Sequence, residues 1–156
     1  MQDMSDTLHE LAFSRFIAAP RQALWRCWTE PELIKQWFTP RPWTTPVVEV
    51  DVRPGGRSHM MFRGPEGEEF PNDGVYLEVV PPERLVFTDA YVEAWRPSAK
   101  PFITAIVTFA EEGNGTRYEA RVRHWTAEDR AKHEEMGFHE GWGKAADQLA
   151  ELAGRL

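Results

Sequence analysis

The run HEEMGFHEGWG, His133 to Gly143, places two histidines among three glutamates, with Asp147 close behind, and so raises metal binding first. A helical zinc site of the zincin kind needs histidines at i and i+4 with a glutamate between them, because only that spacing puts both imidazoles on one helix face. Position i+4 from His133 is Gly137, and the next histidine is His139. On a regular helix those two rings would lie about 120° apart around the axis and about 9 Å apart along it. Sharing an ion would require a break in the helix, which Gly137, Gly141 and Gly143 would permit at a cost of about 1 kcal/mol each relative to alanine. The expectation is no metal and no cofactor. The glycines read instead as a helix lying close against another backbone, with Trp142 filling core space and Glu135 and His139 pairing on the surface.

A second set of residues could do acid–base chemistry. If Tyr118, Ala120 and Val122 face inward from one strand, His124 shares their parity, and Val75, Leu77 and Val79 supply the inward set of another strand. Leu85 and Phe87 set a parity shared by Asp89 and Tyr91, which would bring a carboxylate and a phenol to one mouth. His124 with Asp89 is the couple that general acid–base catalysis would use if they meet across the sheet. No other catalytic pattern stands beside it: there is no Ser-His-Asp order and no CxxC, and RPGGR has hairpin-turn glycines without P-loop spacing. Trp37, Phe38, Trp43 and Trp95 fall on short helices or loops that would form a rim. With Phe87, Trp142 and the polar trio Asp89, Tyr91 and His124 they are the residues expected at a cavity for an apolar or aromatic ligand. Trp25, Trp28, Trp37 and Trp142 read as core fillers before ligand contacts, since a helix laid on a curved sheet needs large side chains beneath it.

The elements that would position these residues follow from periodicity. LAFSRFIAAP, from Leu11, reads as a strand stopped by Pro20. Ala23, Leu24, Cys27 and Trp28 recur at helical spacing, and a second short helix, PELIKQWF, follows with Thr29 as its expected cap. From Val47 to Arg123 the period is two: VEV, SHMMF, DGVYLEVV, RLVFTDAY, FITAIVTFA and TRYEARVRH read as strands of an antiparallel meander, with VEAWRPSAKP as a loop. Arg117, Arg121 and Arg123 fall on its solvated face. From Thr126 to Arg155, Ala131, Phe138, Trp142, Ala145, Leu149 and Leu152 form one stripe and predict a single long helix, with Thr126 and Asp129 resembling a capping box.

Composition limits what such a domain does. The 156 residues fit one domain, and seven tryptophans are enough to line an interior. A net charge of −7 with no basic run disfavours nucleic acid as a partner. Cys27, the single cysteine, excludes an internal disulfide. No stretch is long and apolar enough to span a membrane, and the first residues carry no signal-peptide pattern, so a soluble cytoplasmic protein, monomeric or homodimeric, is expected. Residues 1–10 read as an N-terminal extension and 11–156 as one domain.

FSRFIAAPRQALWRCWTEPELIKQWF, VEVDVRPGGR, GVYLEVVPPERLVFT and HEEMGFHEGWGKAADQLAEL, in this order, resemble the C-terminal domain of the activator of the heat shock protein 90 ATPase, a family of the START-like (SRPBCC) superfamily. The resemblance runs from about Leu11 to Ala153. It implies an α+β helix-grip fold like that of the birch-pollen allergen, with a curved antiparallel sheet of six to seven strands wrapped on a long C-terminal helix and two short helices after the first strand. It also implies three functions: a non-enzymatic carrier of a lipid, sterol, aromatic or polyketide-like molecule held between sheet and helix, a polyketide cyclase or aromatase, and a chaperone-binding module. Eukaryotic namesakes carry a further N-terminal domain that contributes to chaperone binding, whereas this sequence begins almost at the first strand.

Overall fold

The computed structural model describes residues 9–156, so most of the expected N-terminal extension, residues 1–8, lies outside the described residues. The element order is β1 (Glu10–Ile17), α1 (Arg21–Thr29), α2 (Pro31–Ile34), β2 (Thr44–Val50), β3 (Arg57–Arg63), β4 (Glu69–Val80), β5 (Arg84–Thr88), β6 (Tyr91–Glu93), β7 (Arg96–Pro97), β8 (Ile103–Glu112), β9 (Gly115–His124), α3 (Ala127–Glu135) and α4 (Phe138–Ala153). The alternating segments pair into one antiparallel sheet in the order β1-β9-β8-β5-β4-β3-β2. The segment expected as a loop folds back on itself as the small β6–β7 ladder. Between β2 and β3 the RPGGR turn is tight: a Cβ on Gly56 would stand 1.9 Å from the Asp51 carbonyl oxygen, so only glycine fits.

Inward parity holds on β9, where Tyr118, Ala120, Val122 and His124 are all buried. On β4 it shifts. The pairing with β5 passes from Tyr76 opposite Phe87 to Glu78 opposite Val86, a bulge at Leu77. Tyr76 and Val79 therefore join the helix-facing core, whereas Val75 pairs with Thr88 and Leu77 falls in the irregularity.

The C-terminal segment is two helices rather than one. Thr126 caps α3 by accepting the Asp129 backbone N–H at 3.0 Å. The chain then turns through Gly137 at φ 93°, a left-handed conformation suited to glycine, before α4 begins. At the other end of the chain, Thr29 does not cap α2: its hydroxyl donates to the Trp25 carbonyl at 2.7 Å, and Glu30 occupies the cap position ahead of Pro31.

The core forms where α1 and the C-terminal half of α4 meet the sheet. Leu24, Cys27 and Trp28 from α1 and Ala145, Ala146, Leu149, Leu152 and Ala153 from α4 pack on Leu85, Val107, Phe109, Tyr118 and Ala120. The Trp28 ring lies 5.1 Å from Trp37, 5.5 Å from Phe38, 5.8 Å from Phe87 and 6.3 Å from Trp142. One polar side chain enters this layer. Gln148 donates to the carbonyls of Trp37 (2.9 Å) and Thr39 (2.8 Å) and accepts the Arg41 backbone N–H (2.9 Å), tying the chain after α2 to α4. On the outer face Arg123 pairs with Glu10 at 3.1 Å and Arg117 with Glu112 at 2.9 Å, exposed contacts that add little to stability.

Gln148→Leu keeps the volume but leaves two carbonyls and one N–H without their partner. We expect a loss of about 3 kcal/mol, seen as a lower urea midpoint with an unchanged slope.

Candidate functional site

The N-terminal half of α4 meets the sheet on its β1, β8 and β9 side, where Phe138 packs on Leu11, Ala105 and Val122 and the Trp142 ring lies 6.3 Å from Phe13. Between helix and sheet lies a cavity of about 530 Å³, within the size range of small-molecule sites. Three groups of residues enclose it. Trp37, Phe38 and Trp43 come from the chain between α2 and β2; Met60, Tyr76 and Phe87 come from the sheet; Phe138, Gly141 and Trp142 come from α4, with Met136 and Gly137 of the interhelical turn beside them. Trp28 closes the inner end. A Cβ on Gly141 would meet nothing within 4 Å, and the same is true of Gly143. The expected close approach of backbones at these two glycines is therefore absent, and at Gly141, which lines the cavity, the helix leaves space. At the rim Trp43 stacks on the half-exposed Phe70 at 5.8 Å.

Two titratable groups of the lining, Asp89 and His133, come from the end of β5 and from α3, and Thr39, Ser58, Asn72, Tyr76 and Thr88 complete its polar side chains. Asp89 Oδ1 accepts the backbone N–H groups of Phe102 (2.8 Å) and Ile103 (3.0 Å), so the carboxylate organises the entry into β8. Burial raises its pKa, against the opposing pull of those amides and of His124. His124 stands one layer behind the wall. Its Nδ1 lies 2.7 Å from the His9 carbonyl and its Nε2 lies 2.8 Å from His133 Nδ1. His133 itself lines the cavity, with its ring 5.1 Å from Phe102 and 5.2 Å from Phe138. Burial, reinforced by His124, pushes its pKa down to about 4. Tyr76 faces the same space with its phenol raised to about 12 by burial, and the buried Cys27 thiol is raised to about 11, well away from a reactive thiolate.

This architecture is shared. The family described as Activator of Hsp90 ATPase homolog 1-like protein matches residues 18–154. The chain belongs to that family. A protein of Nitrosomonas europaea is 44% identical, with a TM-score of 0.93 over 96% of this chain and 97% of that one. A protein of Mycobacterium smegmatis is 28% identical, with a TM-score of 0.80 over 96% and 93%. An AHSA1-like protein of Aeromonas hydrophila shares the fold at 22% identity and a TM-score of 0.73, over 94% and 92%. Among curated proteins none matches. The sheet curved around its C-terminal helix is the helix-grip arrangement of the START-like superfamily to which this family is assigned. No described helix is long and apolar enough to cross a membrane.

Of the residues singled out in the sequence, Trp37, Phe38, Trp43, Phe87, Asp89 and Trp142 line the cavity of this family member. Tyr91 and Trp95 do not. They pack on each other at 5.5 Å in the β6–β7 ladder, and Trp95 is exposed. β5 ends at Thr88; Asp89, one residue on, still lines the cavity, whereas Tyr91 already belongs to β6 and does not follow the β5 parity. His124 and Asp89 share no hydrogen bond among the described residues; each is engaged elsewhere. The helix break that would let His133 and His139 converge is present, yet it separates them: His133 turns in to His124, while His139 lies 3.6 Å from Glu134, rather than pairing with Glu135. The described residues hold no cluster of three or more metal-ligating side chains.

His133 is the residue that sequence reasoning missed. Its signal was available once α3 is phased separately from α4, since Asp129, Arg130 and His133 are the half-buried positions of that helix and recur at helical spacing.

The depressed His133 pKa has a consequence for stability. Between pH 6.5 and about 4 the unfolded chain holds a proton on this imidazole that the folded chain does not, so stability falls as pH drops through that window. Urea titrations from pH 7 to pH 4 should show His133→Phe losing less stability than the wild type. Parallel curves would remove the assignment.

Proposed function

We propose that this protein is a binding protein for a small, largely apolar molecule, held in the cavity between sheet and α4, and that it works without covalent chemistry. The observation that carries this reading is the cavity of about 530 Å³ left open in an interior that has tryptophan and phenylalanine available to fill it. Close-packed interiors rarely keep such a volume, because each lost contact costs stability. Its walls are mainly aromatic and aliphatic, with a few polar groups among them, as in carrier sites.

A cyclase-like reading needs His124 and Asp89 to act as a couple on a substrate, and both are committed to backbone groups. The chaperone-partner reading draws on the family's description; the apolar side chains that are exposed, Phe16, Phe70, Trp95, Trp125 and Met136 among them, are distributed over separate elements. The binding reading is therefore preferred.

The test is titration with N-phenyl-1-naphthylamine, a neutral fluorescent probe. Saturable one-to-one enhancement is expected for the wild type. In Gly141→Leu the new side chain occupies the space above Trp28 and Phe87 and removes a helix glycine. We expect at least tenfold weaker probe binding together with an equal or higher thermal midpoint. Absence of saturable binding by the wild type would sink the proposal.

A further inference from the structure

Resting on that binding reading, we infer that the His133–Asp89 end of the cavity selects ligands with a neutral hydroxyl head group, a phenol or an alcohol on an apolar ring system, and turns away carboxylates of the same shape. The two side chains belong to one corner of the cavity. Asp89 accepts the backbone N–H groups of Phe102 and Ile103, Ile103 pairs across the sheet with His124, and the Phe102 ring lies 5.5 Å from His124 and 5.1 Å from His133.

The protons at this corner are fixed by their partners. The His9 carbonyl can only accept, and it receives both the backbone N–H of His124 (2.9 Å) and its Nδ1–H (2.7 Å). With Nδ1 protonated, a neutral His124 presents a lone pair at Nε2. The His133 Nδ1 that faces it at 2.8 Å must therefore be the donor. A neutral His133 with its proton on Nδ1 carries a lone pair at Nε2, an atom that meets no hydrogen-bond partner among the described residues on a ring that lines the cavity. His133 is thus held as an acceptor by a chain that begins at a main-chain carbonyl.

The β5 groups beside His133 offer little to a ligand acceptor, and the remaining polar lining side chains, Thr39, Ser58, Asn72 and Tyr76, come from the chain after α2 and from β3 and β4. Thr88 donates its proton to the Ile103 carbonyl at 2.9 Å and already accepts from Thr104 Oγ1 and the Ala90 N–H. Asp89 accepts through Oδ1, and its second oxygen adds another acceptor to the corner. A hydroxyl supplies the donor that His133 Nε2 lacks. A ligand carboxylate would instead set its charge against a carboxylate and an imidazole lone pair in a partly buried place, where neither repulsion nor desolvation is relieved.

The experiment is a protein-observed NMR titration at pH 8, where imidazoles are neutral, with three matched probes: naphthalene, 2-naphthol and 2-naphthoate. We expect 2-naphthol to bind about five- to tenfold more tightly than naphthalene, the yield of one well-placed hydrogen bond, and 2-naphthoate to bind more weakly than either. The imidazole nitrogen spectrum should show His133 protonated at Nδ1, with its Nε2 resonance moving on addition of 2-naphthol. His133→Phe, which keeps a ring against Phe102 and Phe138, should bind naphthalene as before and lose the preference for 2-naphthol. Equal or weaker binding of 2-naphthol than of naphthalene by the wild type overturns the inference and leaves the binding reading intact. Failure of all three probes overturns both.

Discussion

The seating of the C-terminal half of α4 is the constraint on which the rest of this molecule depends. Ala145 and Ala146 let the helix come close to the Trp28-centred core, Leu149 and Leu152 extend the contact, and Gln148 ties the helix to the chain between α2 and β2 through three hydrogen bonds. Small residues and a satisfied buried amide thus hold one half of the helix down. The other half is seated by two aromatic side chains instead, Phe138 on Leu11, Ala105 and Val122 and Trp142 beside Phe13. Gly141 and Gly143 reach no neighbour, and the left-handed Gly137 redirects the chain before the helix starts. The cavity is the space between a pinned half-helix and a curved sheet, and its aromatic walls are the same rings that make the core. Trp28, Trp37 and Trp142 do not divide into core residues and ligand residues; each has one side on the packed layer and another on the cavity.

The break at Gly137 also decides the polar chemistry. A continuous helix would carry His133 and His139 away from each other around one axis, with neither directed by design to the sheet. Two helices let α3 take its own phase, anchored by the Thr126 cap and by Arg130 donating to the Glu10 carbonyl at 2.9 Å. That phase turns His133 onto His124. The result is a pair of imidazoles whose protons follow from one main-chain acceptor, the His9 carbonyl, at the edge of a mainly apolar volume. Asp89 and His124 are each hydrogen-bonded to main-chain groups and do not form the carboxylate–imidazole couple that proton transfer would use.

Much of the fold was legible because alternation and helical spacing are properties of local sequence. Tyr118, Ala120, Val122 and His124 face inward as their spacing requires, and Ala23, Leu24, Cys27 and Trp28 form the buried stripe of α1. The family resemblance and the element order then agreed on a helix-grip domain, which the match over residues 18–154 supports. What escaped depends on partners distant in sequence. The bulge at Leu77 arises from the register between β4 and β5, so Val75 and Leu77 looked equivalent to Val79. Three glycines signalled an irregular helix, but whether each serves a turn, a close approach or open space is set by what lies opposite. Tyr91 and Trp95 followed a parity that ended with β5. His133 was hidden because the stripe was counted through a break, and Gln148 because a polar residue on an apolar stripe reveals its role only when its acceptors, on another element, are known.

The central claim is that the interior keeps an open, apolar volume in solution. Xenon settles against apolar cavity walls, so the decisive measurement is a crystal structure under xenon pressure. The account predicts xenon density bounded by Trp28, Phe38, Phe87 and Trp142. A xenon-free interior, with Trp142 or Trp37 swung in to fill the space, would contradict it.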